Sequence, residues 1–158
     1  MKKILLFSLA LITLNSCETT PIEGCTDPNA INYNYNADIN NNSCDFNSDI
    51  IFYLDQNAGI YLYNAGVQKL TFYIEGVNIG SQYNDNGFFT SEIDPACNDP
   101  YFTTGSVFWS NISYHTLSWE VEDELGNILF NSSSTLAGNE CLAVQLTSKK
   151  LKAFKGNN

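Results

Sequence analysis

Glu120 and Glu122 lie two residues apart in a stretch where apolar and polar residues alternate. A strand there would carry both on one face, with Cα atoms about 7 Å apart. That separation overlaps the carboxyl spacing with which inverting glycosidases pair a general acid and a general base. Asp123 and Glu124 extend the acidic run, so one reading is a small carboxylate-dependent hydrolase around Glu120–Glu124. The plainer reading is a solvated outer sheet face. His115 is the chain's only histidine, and its parity with Leu117 and Trp119 makes it a strand-end or core residue. No nucleophile-elbow motif accompanies it. Aromatic residues offer different chemistry: Tyr61, Tyr63, Tyr73 and Trp109 are candidate binding rings within a wider set that includes Tyr53, Tyr83, Phe88, Phe89, Tyr101, Phe108 and Tyr114. Open to solvent, such rings stack on sugars or on a protein partner; packed inside, they are good strand formers.

The thiols depend on how the chain begins. Lys2 and Lys3 precede an apolar run over 4–14 that is broken only by Ser8 and Thr13. This is the layout of an export signal, and it falls well short of the roughly 20 apolar residues that a membrane span needs. Leu14-Asn15-Ser16-Cys17 resembles the lipobox of bacterial lipoproteins, with Asn15 looser than usual at its position. The resemblance implies cleavage after Ser16, a diacylglycerol on the Cys17 sulfur and a protein that is tethered by its acyl chains and does not span the bilayer. With Cys17 lipidated, Cys25, Cys44, Cys97 and Cys141 remain, an even number in an exported, oxidising setting. Three pairings are possible, and sequence proximity favours Cys25–Cys44 with Cys97–Cys141. A zinc site would normally show CxxC or HxxxH spacing, which this chain lacks.

Residues 24–46 change character abruptly, ten of those from Cys25 to Asp45 being Asn or Asp. Such residues favour turns by bonding their own backbone, so the segment reads as a turn-rich loop closed by a disulfide. It closely resembles the GCTDPxAxNYNxxAxxDDGSCxY module of exported Bacteroidota proteins, with Cys25, Asp27, Ala30, Asn32, Tyr33, Ala37, Ser43 and Cys44 in register. Where that module has Asp-Asp-Gly, this chain has Asn40-Asn41-Asn42. Asn tolerates the left-handed conformation that Gly would supply, but two carboxylates are gone. Asp27, Asp38 and Asp45 are therefore only a weak calcium set, because calcium prefers six to eight oxygen ligands with several carboxylates among them. No other cofactor is expected.

From residue 47 the pattern is that of strands. Short β-branched and aromatic runs cover 49–54 and 60–63, separated by Gln56-Asn57-Ala58-Gly59. Over 67–75, Leu70, Phe72 and Ile74 share one face; over 116–122, Leu117, Trp119 and Val121 do. Asp123-Glu124-Leu125-Gly126-Asn127 reads as a hairpin turn into 128–130, and Leu142, Val144 and Leu146 close the series. Weaker strands are expected at 79–83, 88–90 and 106–109. No helical period of useful length follows the leader. Seven or eight short strands separated by turns predict an all-β, antiparallel sandwich. Segment 49–147 also resembles small Bacteroidota lipoproteins of unknown function, through Ile51-Phe52-Tyr53, Pro95-Ala96-Cys97, Leu117-Ser118-Trp119 and Cys141 before Val144-Gln145-Leu146. That resemblance implies an immunoglobulin-like outline and brings no activity with it.

The expected organisation is a signal peptide at 1–16, a lipidated spacer at 17–23, the stapled module at 24–46, the sandwich at 47–147 and a basic tail at 148–158. The net charge is −10, there is no arginine, and Lys149, Lys150, Lys152 and Lys155 are confined to that tail. Nucleic acid is a poor partner for such a chain, since phosphate binding needs clustered Lys and Arg. The reading that fits best is a lipoprotein of the cell envelope, on either face of the outer membrane. It would act as a non-catalytic binding, adhesion or structural module toward a glycan or an envelope protein.

Overall fold

The structure is a computed structural model that describes residues 20–151; the expected signal at 1–16, the lipid-bearing Cys17 and the tail lysines Lys152 and Lys155 lie outside the described residues. The protein is all-β with a single α-helix and one short 3-10 helix (Ser148–Lys150) among the described residues. Strand β3 (Asp45–Leu54) is central to a three-stranded sheet, between β6 (Thr103–Ser110) and β9 (Cys141–Leu146). A four-stranded sheet is ordered β5 (Val77–Tyr83), β4 (Lys69–Ile74), β7 (Tyr114–Glu122), β8 (Ile128–Ala137). Neighbours in these two sheets are antiparallel except β3 and β9, the first and last strands, which pair parallel from Asp49↔Cys141 to Leu54↔Leu146.

The two sheets meet through rings. Phe52 of β3 lies 5.6 Å from Phe72 of β4 and 5.4 Å, edge-on, from Trp119 of β7. The alternating residues do what their period requires: Leu70, Phe72 and Ile74, like Leu117, Trp119 and Val121, are buried in this core. Strand β3 alternates only in its first half. From Ile50 to Leu54 every residue is buried, because the loop at 84–102 covers the sheet's other face, where Tyr53 meets Phe102 at 6.2 Å edge-on. A strand covered on both faces reads as a continuous apolar run.

The turns follow local chemistry. Strands β4 and β5 are joined by Glu75-Gly76, with φ of 51° and 74°, the positive pair that a two-residue hairpin turn needs. The Glu75 carboxylate accepts from the backbone N–H and the hydroxyl of Ser118, which lowers its pKa. The expected turn at 123–127 is held by buried Asp123, whose carboxylate accepts from the N–H groups of Leu125 (2.9 Å) and Asn127 (2.8 Å) and from the Asn127 amide (2.7 Å).

Two strand expectations are corrected. Residues 60–63 belong to helix α1 (Gln56–Asn64), contrary also to the expectation that no helix follows the leader. Its caps are complete. The Asp55 side chain accepts from Ala58 N–H at 2.6 Å, Gly66 at φ 80° donates to Tyr63 O, and Val67 N–H reaches Leu62 O at 3.1 Å. The last two bonds are a Schellman ending. Ala58, Leu62 and Val67 are buried in the core, so packing and caps outweigh the poor propensity of Asn57 and Gly59. Asp55→Ala is expected to cost about 1 kcal/mol, read as a lower urea midpoint at unchanged slope. Residues 88–90 are not a strand either; Thr90 makes one isolated bridge to Leu54.

The module at 24–46 packs on the same core. Short parallel strands β1 (Glu23–Gly24) and β2 (Ile39–Asn40) lie beside the Cys25–Cys44 bridge (Cα–Cα 4.8 Å), and Cys25, Ala30, Cys44 and Phe46 join the core cluster. Asn32 ties the middle of the module to its C-terminal end, donating to Ser43 O (2.5 Å) while its Oδ1 accepts from Asp45 N–H (2.9 Å). Asn42 has φ 59°, the left-handed residue expected at that position.

Candidate functional site

Exposed rings gather where α1 meets the loop at 84–102. Gly59 lets the helix approach that loop closely, since a Cβ there would stand 2.5 Å from Thr90 Cγ2. Ile60 and Tyr63 of the helix, with Asn86, Phe88 and Thr90 of the loop, line a groove of about 320 Å³. The same loop segment borders a second hollow of about 590 Å³, lined by Tyr83, Asp85, Phe88 and Phe89. Tyr63 (58%), Tyr83 (58%), Phe89 (49%) and Tyr101 (62%) are all substantially exposed. Phe89 and Tyr101 stand 5.2 Å apart at 47°, and the Lys69 ammonium lies 5.8 Å over the Tyr83 ring.

The loop is fastened so that it presents these rings. Asn84 leaves β5 with its N–H on Gln68 O (3.0 Å) and its amide on Val67 O (2.8 Å). Gly87 at φ 100° turns the chain, Phe88 plugs the core, and Phe89 therefore points outward. Farther along, buried Tyr53 donates to Asp94 at 2.5 Å, and burial, then Asp94, pushes its pKa up to about 12. Cys97 is bonded to Cys141 at the start of β9 (Cα–Cα 5.8 Å), and Tyr101 N–H is held by Asp99 Oδ1 at 3.0 Å. Both expected disulfides are thus formed.

The four rings singled out in the sequence are not brought together. Tyr63 lines the groove, whereas Tyr61 is exposed on another side of the helix. Tyr73 is on the outer face of the four-stranded sheet, opposite Glu120, and its pKa is raised by desolvation, then by Glu122 and Glu120. Trp109 is only 9% exposed: its ring lies 5.7 Å from Phe46 and 5.6 Å from His115, and its indole N–H donates to Ile112 O at 2.7 Å. It is a packing residue, a correction to its place among the open binding rings. Tyr83, Phe89 and Tyr101 take its place. The aromatic pair that follows the turn cluster Asn84-Asp85-Asn86-Gly87 was the signal available in the sequence.

The carboxylates are spread over different tasks. Glu120 lines an open groove of about 420 Å³ with Gly76, Ser118 and Asn131–Ser133 on the outer sheet face, while Asp123 holds a turn and Glu124 accepts from Gln68 N–H (3.0 Å) and Lys69 N–H (3.3 Å). Asp27 accepts from Asn29 N–H (2.9 Å) and the Ser113 hydroxyl (2.7 Å), Asp38 from Ile22 N–H (3.1 Å), and Asp45 from the Ser110 hydroxyl (2.5 Å) and the Asn32 amide (3.2 Å). Among the described residues no group of three or more His, Cys, Asp or Glu is placed to hold a metal ion, and no helix is long and apolar enough to cross a membrane. Comparison with protein-family models, curated proteins and solved structures finds no match to this chain.

Proposed function

We propose that this protein is a lipid-tethered binding module of the cell envelope, anchored through Cys17 in the outer membrane, which captures a glycan or an envelope protein on its aromatic groove without a cofactor. The observation that carries this is the gathering of Tyr63 of α1, Tyr83 of β5, and Phe89 and Tyr101 of the loop, all about half-exposed or more, around a loop fastened by a disulfide and by the hydrogen bond from buried Tyr53 to Asp94. Rings left open on a rigid support bind with little ordering cost. Each contributes about 0.5–1.5 kcal/mol beyond area burial, so useful affinity needs several on one surface. Kinship with Bacteroidota envelope lipoproteins belongs to this proposal, as does an immunoglobulin-like outline. Two facing sheets and a buried Trp119 support that outline, although the strand orders differ from those of an immunoglobulin domain. The charge of −10 argues against nucleic acid as the partner.

Cys17→Ala is expected to release the protein from membranes and abolish palmitate labelling. On a glycan and envelope-protein array, the released protein is expected to bind a ligand, and Phe89→Ala with Tyr101→Ala to lose it. Hydrolysis of an arrayed polysaccharide that disappears in Glu120→Gln or Glu122→Gln would instead establish the carboxylate-dependent hydrolase.

A further inference from the structure

The two disulfides occupy opposite environments. Cys25 and Cys44 are 1% and 4% exposed and belong to the core. Cys141 is exposed and Cys97 half-buried, at the surface where the loop at 84–102 meets edge strand β9. Among the described residues this bridge is the only covalent cross-link between that loop and the sheets, apart from the backbone at the loop's two ends. Thiol exchange requires an attacking thiolate to reach a sulfur along the S–S axis, so access decides which bridge reacts. The outer bridge also has a prepared leaving group: the Cys97 backbone N–H donates to Cys141 Sγ at 3.1 Å. A hydrogen bond to a developing thiolate stabilises it and speeds its departure.

We infer that Cys97–Cys141 is a thiol-exchange site open to dithiol reductants, and that opening it releases the loop that carries Phe89 and Tyr101. This rests on the capture reading for its consequence but not for its chemistry. One thiolate of the dithiol attacks Cys97 Sγ, the S–S bond breaks, and Cys141 leaves as a thiolate that takes a proton. The second thiol of the reductant then displaces Cys97, which also leaves protonated. The bridge gains two electrons and two protons, and the dithiol ends as its own disulfide. The loop keeps the Tyr53–Asp94 hydrogen bond and the Thr90–Leu54 bridge, but nothing covalent holds its centre. Binding then weakens because the rings must be ordered again when ligand arrives.

The test uses the full chain under native conditions with graded dithiothreitol, alkylation of free thiols and mass spectrometry, in parallel with brief chymotrypsin digestion. Cys97 and Cys141 are expected to be alkylated at a dithiothreitol concentration at least about tenfold below that which exposes Cys25 and Cys44. Cleavage after Phe89 or Tyr101 is expected to rise over the same range, and removing the reductant in air to restore resistance. Tyr53→Phe keeps the bridge and is expected to stay resistant until dithiol is added. Simultaneous opening of both bridges, a reduced loop that stays uncut, or a Tyr53→Phe loop that is cut without dithiol would each overturn the inference. Alkylation order and cleavage need no ligand, so they separate from the capture reading, which fails if alanine at Phe89 and Tyr101 leaves every array interaction unchanged.

Discussion

Phe52→Ala is expected to lower the free energy of unfolding by about 3–5 kcal/mol, a large part of the roughly 5–15 kcal/mol typical of a domain. Phe52 is 1% exposed, on the central strand of one sheet, with Phe72 at 5.6 Å and Trp119 at 5.4 Å on the other. Removing the ring loses its transfer free energy and leaves a cavity between two hydrogen-bonded sheets, which have little freedom to close on it. The edge-on contact with Trp119 adds a ring-specific part, worth about 0.5–1.5 kcal/mol beyond buried area. Phe52→Leu should cost less, because most of the volume is kept. Urea unfolding followed by tryptophan fluorescence reads both variants. A loss below about 1.5 kcal/mol for Phe52→Ala would mean that the sheets close over the gap and do not depend on this contact.

The second large effect is expected in the module. Replacing both Cys25 and Cys44 with alanine should cost about 3 kcal/mol in loop entropy alone, and the buried sulfurs also leave space in the core that Ala30 and Phe46 share. Little else holds the segment: its strands β1 and β2 are two residues each. Its other ties are scattered hydrogen bonds, among them Asx turns such as Asn36 N–H on Asn34 Oδ1 at 3.0 Å, the Asn32 bonds to Ser43 and Asp45, and the Ser113 hydroxyl on Asp27. Exposed bonds of this kind contribute little once the chain may take other conformations. Amide exchange within 25–44 should therefore approach that of an unfolded chain, while the amides of β4 and β7 keep much of their protection. Thermal unfolding should start at lower temperature. Protection retained at Ile31 and Asn34, whose N–H groups bond Asp45 O and Cys25 O, would show that the turn network holds the module without its staple.

The core of the sandwich was legible in the sequence because a half-buried strand writes its two faces as a period of two. Leu70, Phe72 and Ile74, and Leu117, Trp119 and Val121, are buried as the alternation requires. The hairpin turn at 123–127 was legible too, since an Asp before Gly and Asn closes a turn with its own side chain. So was the left-handed Asn42, and proximity along the chain was enough to favour both disulfide pairings. Helix α1 was not. Nine residues in which Asn57 and Gly59 offset Ala58 and Leu62 carry only weak helical propensity, and the stretch is helical because Asp55 and Gly66 cap it and Ala58 and Leu62 bury against the sheets. The cap residues were present in the sequence, but Ile60-Tyr61-Leu62-Tyr63 is equally good strand material, and only packing decides between the two. The same holds for the rings. Composition shows that aromatics are plentiful but not which of them face water. Trp109 is enclosed because β6 sets it between Phe46 and His115, whereas Tyr63 of α1, Tyr83 of β5, and Phe89 and Tyr101 of the loop stay open around the two hollows that the fastened loop makes with its neighbours. Alternation and turn chemistry act between neighbours in sequence and so are written in it; exposure depends on what covers a residue from far along the chain, and only the tertiary structure determines that.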